Sequence, residues 1–240
     1  MSGKLHVIGV GPGDPELLTI KAARTLKQCA VVFTPKARIK DNSVALQIAK
    51  PYIGEETRIE ELVFPMTSNN DTLEKAWEDS GKRVVSELRK GNDVAFLTLG
   101  DPMLYSTAVY LTRSVERLCP TAGIEIIPGI PAYGAAAALT RFSVGEKKHP
   151  VSIMPAGDNL EDIRIRIREG GTIAIMKVGG HLGEILDLLE ETDTLDTSVF
   201  VSRAGMPDER IETDLRKLRG AERTAGYLSI ILVQAGETGE

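Results

Sequence analysis

Two aspartates of this 240-residue chain stand in matched settings, Asp14 and Asp101, each inside a Gly-Asp-Pro triplet that follows an apolar run. The first run reads His6-Val7-Ile8-Gly9-Val10-Gly11-Pro12-Gly13-Asp14-Pro15, the second Val94-Ala95-Phe96-Leu97-Thr98-Leu99-Gly100-Asp101-Pro102. A carboxylate at such a turn can cap the next helix. It can also face a ligand and handle a proton. One turn of this kind would signify a cap; two point to a small-ligand cleft at the carboxyl edge of a parallel sheet. Other catalytic sets are missing. His6, His149 and His181 are scattered and match no metal-ligand spacing, so no metal site is expected. No Ser-His-Asp set or pair of catalytic carboxylates emerges. Cys29 and Cys119 form no CxxC and read as reduced thiols. Lys36, Arg38 and Lys40 follow the second strand, where they could meet an anionic ligand. Lys147, Lys148 and His149 read as solvated surface.

A glycine-rich first turn usually invites a dinucleotide reading, and that reading fails twice. The fingerprint is G-x-G-x-x-G, with an acid at the end of the second strand for the ribose. Here the third glycine position is Asp14, which would set a negative charge where a pyrophosphate belongs. The second strand ends in Thr34-Pro35-Lys36, with no acid. No Walker lysine follows either.

These turns need strands and helices to hold them. Leu5 to Val10 reads as a buried strand. Asp14 is expected to cap a helix with Pro15 first and Ile20, Ala23 and Leu26 as its apolar stripe. Ala30 to Phe33 reads as a strand ended by Thr34-Pro35, followed by a short helix near Ser43 to Ala49 and a half-exposed strand, Thr57 to Val63. Asp71 or Thr72 is expected to cap a long helix carrying Leu73, Trp77, Val84 and Leu88, stopped by Gly91 in the left-handed conformation. Val94 to Leu99 reads as strand, Thr107 to Leu118 as helix and Glu125 to Ile127 as strand. The second half predicts an alanine-rich helix over Ala132 to Leu139. Its strands are Val151 to Met154, Thr172 to Met176, Ser198 to Arg203 and Leu228 to Val233, with helices near Ile163 to Arg168 and Leu182 to Leu189. Glu209 to Leu218 fits strand or helix. The alternation predicts an α/β protein of two domains, 1–130 and 131–240, with mainly parallel or mixed sheets.

Composition narrows the partners. With 42% hydrophobic and 26% charged residues the chain is ordinary for a globular protein. A net charge of −5 gives no reason to expect nucleic acid. The longest apolar runs are strand-length, so no membrane span is expected. The start, Met1-Ser2-Gly3-Lys4-Leu5, leads directly into a strand and reads as lacking a signal peptide, which predicts a cytoplasmic protein.

Three motifs in order carry a resemblance over essentially the whole chain: G-x-G-P-G-D-P from Gly9, L-G-D-P from Leu99 leading into Met103-Leu104-Tyr105-Ser106-Thr107, and Pro128-Gly129-Ile130 before a helix. This set resembles the tetrapyrrole methylases, the S-adenosylmethionine-dependent enzymes of cobalamin and siroheme synthesis. Within that family, Phe96 to Thr107, Tyr110-Leu111 and Phe33-Thr34-Pro35-Lys36 are similar to the carbon-20 methyltransferases of precorrin-2 or cobalt-factor II. Pro131-Ala132-Tyr133 departs from the small hydroxylated residues of many relatives.

The resemblance implies a class III methyltransferase fold with a ligand cleft between two domains, and a homodimer. It implies S-adenosylmethionine as donor, S-adenosylhomocysteine as product and a reduced tetrapyrrole as acceptor. It assigns Gly100, Asp101 and Met103 to the amino-acid end of the donor, and Ser106 and Thr107 to its polar atoms. Ile130 and Ala132 are placed beside the donor, with Met176, Ala204 and Gly205 at its adenosine. Gly11, Pro12 and Gly13 are expected to line the tetrapyrrole trough, Asp14 to handle a proton there or bind a pyrrole, and Lys36 and Arg38 to hold carboxylates of the substrate. Related possibilities are methylation at another ring carbon or of a non-tetrapyrrole target, or a non-catalytic ligand sensor.

Overall fold

A computed structural model describes residues 3–36, 42–65, 67, 69–157, 159–220 and 226–236. They form two compact units, Met1–Pro131 and Ala132–Glu240.

Among the described residues, the first unit has one sheet of five parallel strands: β1 (Lys4–Gly9), β2 (Val31–Lys36), β3 (Arg58–Val63), β4 (Val94–Thr98) and β5 (Gly123–Ile127), ordered β3-β2-β4-β1-β5. The central strands are apolar on both sides because helices cover both. Leu5, Val7, Val31, Phe33, Val94 and Phe96 pack with Val84, Val85 and Leu88 of α3 (Asn70–Arg89) and Ala108, Leu111 and Val115 of α4 (Ala108–Leu118). The opposite face sets Ile8, Val32, Ala95 and Leu97 against Ala22 and Leu26 of α1 (Ile20–Leu26) and Ala45, Ile48 and Ala49 of α2 (Val44–Ala49). The chain therefore leaves β1 toward one face of the sheet and β4 toward the other. Adjacent parallel strands that part in this way open a crevice beyond their carboxyl ends.

The second unit opens with α5 (Ala132–Thr140), then builds a mixed sheet of β6 (Val151–Pro155), β7 (Gly171–Met176), β8 (Ser198–Ser202), β9 (Arg210–Glu212) and β10 (Ser229–Ala235), ordered β6-β7-β10-β8-β9. β6 runs parallel to β7, and β10 lies antiparallel between β7 and β8. One face packs on α6 (Glu161–Glu169) and α7 (Leu182–Glu191) through Ile163, Ile167, Ile185, Leu186 and Leu189. α5 touches β8 and β10.

Several expectations need correction. Asp14 does not start the helix that holds Ile20: it caps a 3₁₀ turn, Pro15–Leu17, and Thr19 caps α1 separately. Leu18, with φ −68° and ψ 135°, breaks the path between them. The buried stripe of α1 is Ala22 and Leu26, and Ile20 is 75% exposed. β2 does not end at Phe33 but runs through Pro35 to Lys36. Its pairing with β4 stops at Phe33, so the missing Pro35 N–H costs that ladder nothing, while β3 pairs on through Lys36. Asn69, whose side chain accepts the Thr72 N–H, caps α3 in place of Asp71 or Thr72. Gly91 does follow that helix at φ +84°. The ambiguous stretch resolves into β9 and a 3₁₀ turn, Leu215–Leu218. Cys29 and Cys119 are free thiols.

Candidate functional site: loops at the carboxyl edges of two sheets

All five strands of the first unit end on one edge, so the loops after β1, β4 and β5 meet there. Gly11 and Gly100 join in an isolated antiparallel bridge, with Gly100 N–H on the Gly11 carbonyl at 2.8 Å and Gly11 N–H on the Gly100 carbonyl at 3.3 Å. Both residues have positive φ, +80° and +68°, which glycine tolerates best. A Cβ on Gly9 would lie 2.6 Å from both the Gly100 carbonyl oxygen and the Gly129 nitrogen. Gly9 and Gly129 are thus glycines because backbone packs against backbone. Gly100 differs: around a Cβ placed there, the nearest described atom is Pro131 Cα at 4.0 Å. Its outer side has room for a ligand to approach the backbone. Gly9 and Gly129 were not among the expected site residues, and only their unbranched identity within the motifs hinted at this junction.

Asp101 fastens the junction. Its Oδ1 accepts the Met103 N–H at 2.8 Å, and its Oδ2 accepts the Gly129 N–H at 3.1 Å. The carboxylate therefore shapes its own loop and ties it to the Gly129–Pro131 loop. The Asp14 Oδ1 accepts the Glu16 N–H at 2.8 Å, the capping role. Gly11, Pro12 and Gly13 are buried. The Ser106 hydroxyl pairs with buried Thr98 at 2.8 Å and accepts the Ala108 N–H, so it holds the start of α4. Thr107 and Met103 are exposed, Met103 by 63%. Tyr105, between them, is exposed with φ +49°, a left-handed conformation that costs a non-glycine residue free energy. Ile130 is half-buried, as is Ala132 at the start of the second unit.

Lys36 closes β2 on the same edge. Its Nζ lies 2.6 Å from Glu61 Oε1, and the side chain is only 10% exposed. Arg38 lies outside the described residues, as does Lys40. A separate charged group sits toward the other end of β1. Lys4 and Lys21 both hold Glu125, whose carboxyl is drawn down to about 2, chiefly by Lys21 and then by Lys4. Burial lowers the pKa of His6 beside it. Among the described residues, no cluster of three or more His, Cys, Asp or Glu could hold a metal ion.

In the second unit, β7 and β8 also end on one edge, where antiparallel β10 begins. Met176 closes β7 half-buried, and its carbonyl accepts the Ala156 N–H at 2.7 Å. After β8 the backbone turns left-handed at Arg203, φ +52°, and at Gly205, φ +75°. Glu209 holds that turn by accepting the Gly205 N–H at 2.6 Å, and Arg203 pairs with Asp208. Ala204 is buried. Met176 and the Ala204–Gly205 turn thus share one edge of this sheet.

The family model for Tetrapyrrole (Corrin/Porphyrin) Methylases matches residues 4–219. The chain is 30% identical over 233 residues to the cobalt-precorrin-2 C(20)-methyltransferase of Salmonella typhimurium, covering 97% of each. It superimposes on the X-ray structure of a cobalamin biosynthetic enzyme, cobalt precorrin-4 methyltransferase, with a TM-score of 0.76 at 23% identity, covering 96% of this chain and 94% of that one. It also matches the uroporphyrin-III C-methyl transferase of Thermus thermophilus complexed with S-adenyl homocysteine, with a TM-score of 0.66 at 21% identity and 97% coverage of both. At those identities the structural likeness is one of fold.

Proposed function

The chain belongs to the tetrapyrrole methylase family, and from that premise we propose that it is an S-adenosylmethionine-dependent methyltransferase of corrin-ring synthesis, acting at carbon 20 of precorrin-2 or cobalt-factor II. The observation that carries this reading is the 30% identity, over 97% of both chains, with a cobalt-precorrin-2 C(20)-methyltransferase, on a chain whose three motif loops meet at one sheet edge.

The donor supplies a methyl group on a sulfonium. The ring carbon forms a C–C bond as the C–S bond breaks, a neutral thioether leaves, and the methylated carbon then sheds a proton. No acid is needed for that leaving group, so alignment does much of the work, worth roughly 7–11 kcal/mol in well-oriented reactions. The residues suit alignment. Gly100 offers open backbone, and Asp101 fixes its loop against Gly129. Gly100, Asp101 and Met103 are proposed to receive the donor's amino-acid end, Thr107 to reach its polar atoms, and Ile130 and Ala132 to lie beside it. Met176, Ala204 and Gly205 are proposed to contact its adenosine. Ser106 is proposed to act by holding α4, since its hydroxyl is already engaged. Gly11, Pro12 and Gly13 line the proposed trough for the ring, with Asp14 to bind a pyrrole or take the departing proton. Lys36 and Arg38 take carboxylates of the acceptor. The active form is proposed to be a cytoplasmic homodimer. Among the described residues no helix is long and apolar enough to cross a membrane.

The test is transfer of a labelled methyl group to precorrin-2, metal-free and cobalt-loaded side by side, with the new methyl located by NMR. Label at carbon 20 is expected. Label at another carbon, or none on either ring, would overturn the proposal. Light scattering of the purified protein tests the dimer.

A further inference from the structure

Lys36 and Glu61 form an ion pair whose two members are held very differently. The Lys36 side chain is 10% exposed, and its Nζ lies 2.6 Å from Glu61 Oε1. Its strand is fixed just before it. The hydroxyl of fully buried Thr34 shares a 2.5 Å hydrogen bond with that of buried Ser43, the N-cap of α2. Side chains two apart on a strand share a face, so Thr34 and Lys36 point the same way. Glu61 is 47% exposed on β3, the outermost strand of the sheet. Its backbone is anchored separately, because its carbonyl accepts from Arg83 Nη1 at 2.7 Å. The carboxylate can therefore swing out without disturbing the strand. The neighbouring Glu60 lies on the opposite face of β3, held by Arg83 and Arg58. The Gly11–Gly13 loop follows β1, two strands from β2 and so about 10 Å away.

We propose that this pair is an exchange site, in which a side-chain carboxylate of the tetrapyrrole acceptor replaces Glu61 on the Lys36 ammonium, and that Glu61 is the internal competitor that sets how tightly the ring is held. This rests on the methyltransferase reading above and deepens it. A largely buried cation is costly to leave without an anion, whereas a half-exposed carboxylate loses little on returning to water. Glu61 keeps Lys36 neutralised while the acceptor is absent. An incoming carboxylate swaps one charge-assisted contact for another, so the ammonium stays paired throughout. Methylation of a ring carbon leaves the carboxylates of the ring untouched. Glu61 therefore competes with acceptor and product alike, and its return to Lys36 favours release of the product.

The experiment is a double-mutant cycle on the full chain. Precorrin-2, metal-free or cobalt-loaded according to which ring is methylated, is titrated anaerobically by calorimetry without the donor, and S-adenosylhomocysteine is titrated separately. Glu61→Gln keeps the shape of the side chain and removes the competing charge. It is expected to bind the acceptor about 3- to 10-fold more tightly, the gap between a charge-assisted and a neutral hydrogen bond. Inhibition by the methylated product should strengthen by a similar factor, while affinity for S-adenosylhomocysteine stays at the wild-type value. The salt dependence of acceptor binding should steepen, because the site then carries a net positive charge. Lys36→Met is expected to weaken the acceptor, and Glu61→Gln in that background to give no gain. Thermal melts show whether each variant folds. If Glu61→Gln does not, Glu61→Asp carries the test: one methylene shorter, it competes less well and should also tighten acceptor binding. Unchanged or weaker acceptor binding in the Glu61 variant, or a gain that persists in Lys36→Met, overturns the exchange and leaves the methyltransferase reading intact. A wild-type protein that methylates neither ring overturns both.

Discussion

Asp101 is the side chain on which the first unit's loops depend. Both carboxylate oxygens are taken by backbone N–H groups, one in its own loop and one on Gly129. Hydrogen bonds to a charged group are worth about 1.5–3 kcal/mol each. Asp101→Ala should therefore cost some stability, about 1–3 kcal/mol by urea denaturation. It should also weaken S-adenosylhomocysteine binding by more than tenfold, because the Gly100 backbone loses its aim. Equal donor affinity in mutant and wild type would make the aspartate a turn residue and nothing more. Lys36 poses the opposite question, since Glu61 already neutralises it. If it still serves a polycarboxylate acceptor, Lys36→Ala combined with Arg38→Ala should raise the acceptor KM strongly and leave donor affinity unchanged. The salt dependence of acceptor binding should flatten as well, since screened attraction is what the mutant lacks. An unaltered KM would assign Lys36 to the β2–β3 pair alone.

At the scale of elements, the glycines at the strand ends divide by what a methyl group would meet. On Gly9 it meets backbone of two other loops. Gly9→Ala should cost at least about 3 kcal/mol, because neither loop can retreat without moving its strand. On Gly100 it meets open room. Gly100→Ala should cost only about 1–2 kcal/mol, the strain of a left-handed alanine, while donor affinity falls because the methyl fills the approach. Chemical denaturation and calorimetry on the two variants separate the cases; similar stability losses would erase the distinction. Between the helices, a Cβ on Gly81 of α3 would lie 2.5 Å from Ser114 Oγ on α4. Gly81→Val should therefore cost about 1–3 kcal/mol in the same assay.

For the whole molecule, buried and paired ionisable groups set the response to acid. Glu87, near the end of α3, accepts from Lys90 at 2.6 Å and Asn92 at 2.8 Å and pairs with Arg58 at 2.7 Å, which lowers its pKa to about 2. Glu125 reaches about 2 through Lys21 and Lys4. Both folded values lie below the ordinary 4.5, so their stabilisation is complete above that pH and is lost as pH falls from 4.5 toward 2. His6 works in the same direction. Burial lowers its pKa below 6.5, so the unfolded chain takes the proton first and stability declines once pH drops under that value. The urea midpoint should therefore hold from pH 8 to 7, sag slightly by pH 5 and fall steeply by pH 3. Glu87→Gln should start lower at pH 7 and fall less. A parallel curve for the mutant would remove Glu87 from the account.

Local chemistry made part of this protein legible. The strands declare themselves as apolar runs, and left-handed turns after them demand glycine, so Gly11 and Gly100 could be read as a pair of sharp turns at strand ends. The order of three such motifs was enough to show the family resemblance. What a side chain does inside a turn was not legible, because that depends on partners far along the chain. Asp14 and Asp101 stand in the same triplet, yet one caps a 3₁₀ turn and the other reaches Gly129, 28 residues away. Pro35 looked like a strand end, and only the strand order shows that the ladder lacking its N–H had already stopped. Lys36 looked like a free cation until β3 brought Glu61 beside it. Sequence alone determined where the backbone must turn, since the steric limits on φ act within a single residue. The tertiary structure decided which groups those turns bring together, since that follows from strand order and register, which are set by burying faces that no local window contains.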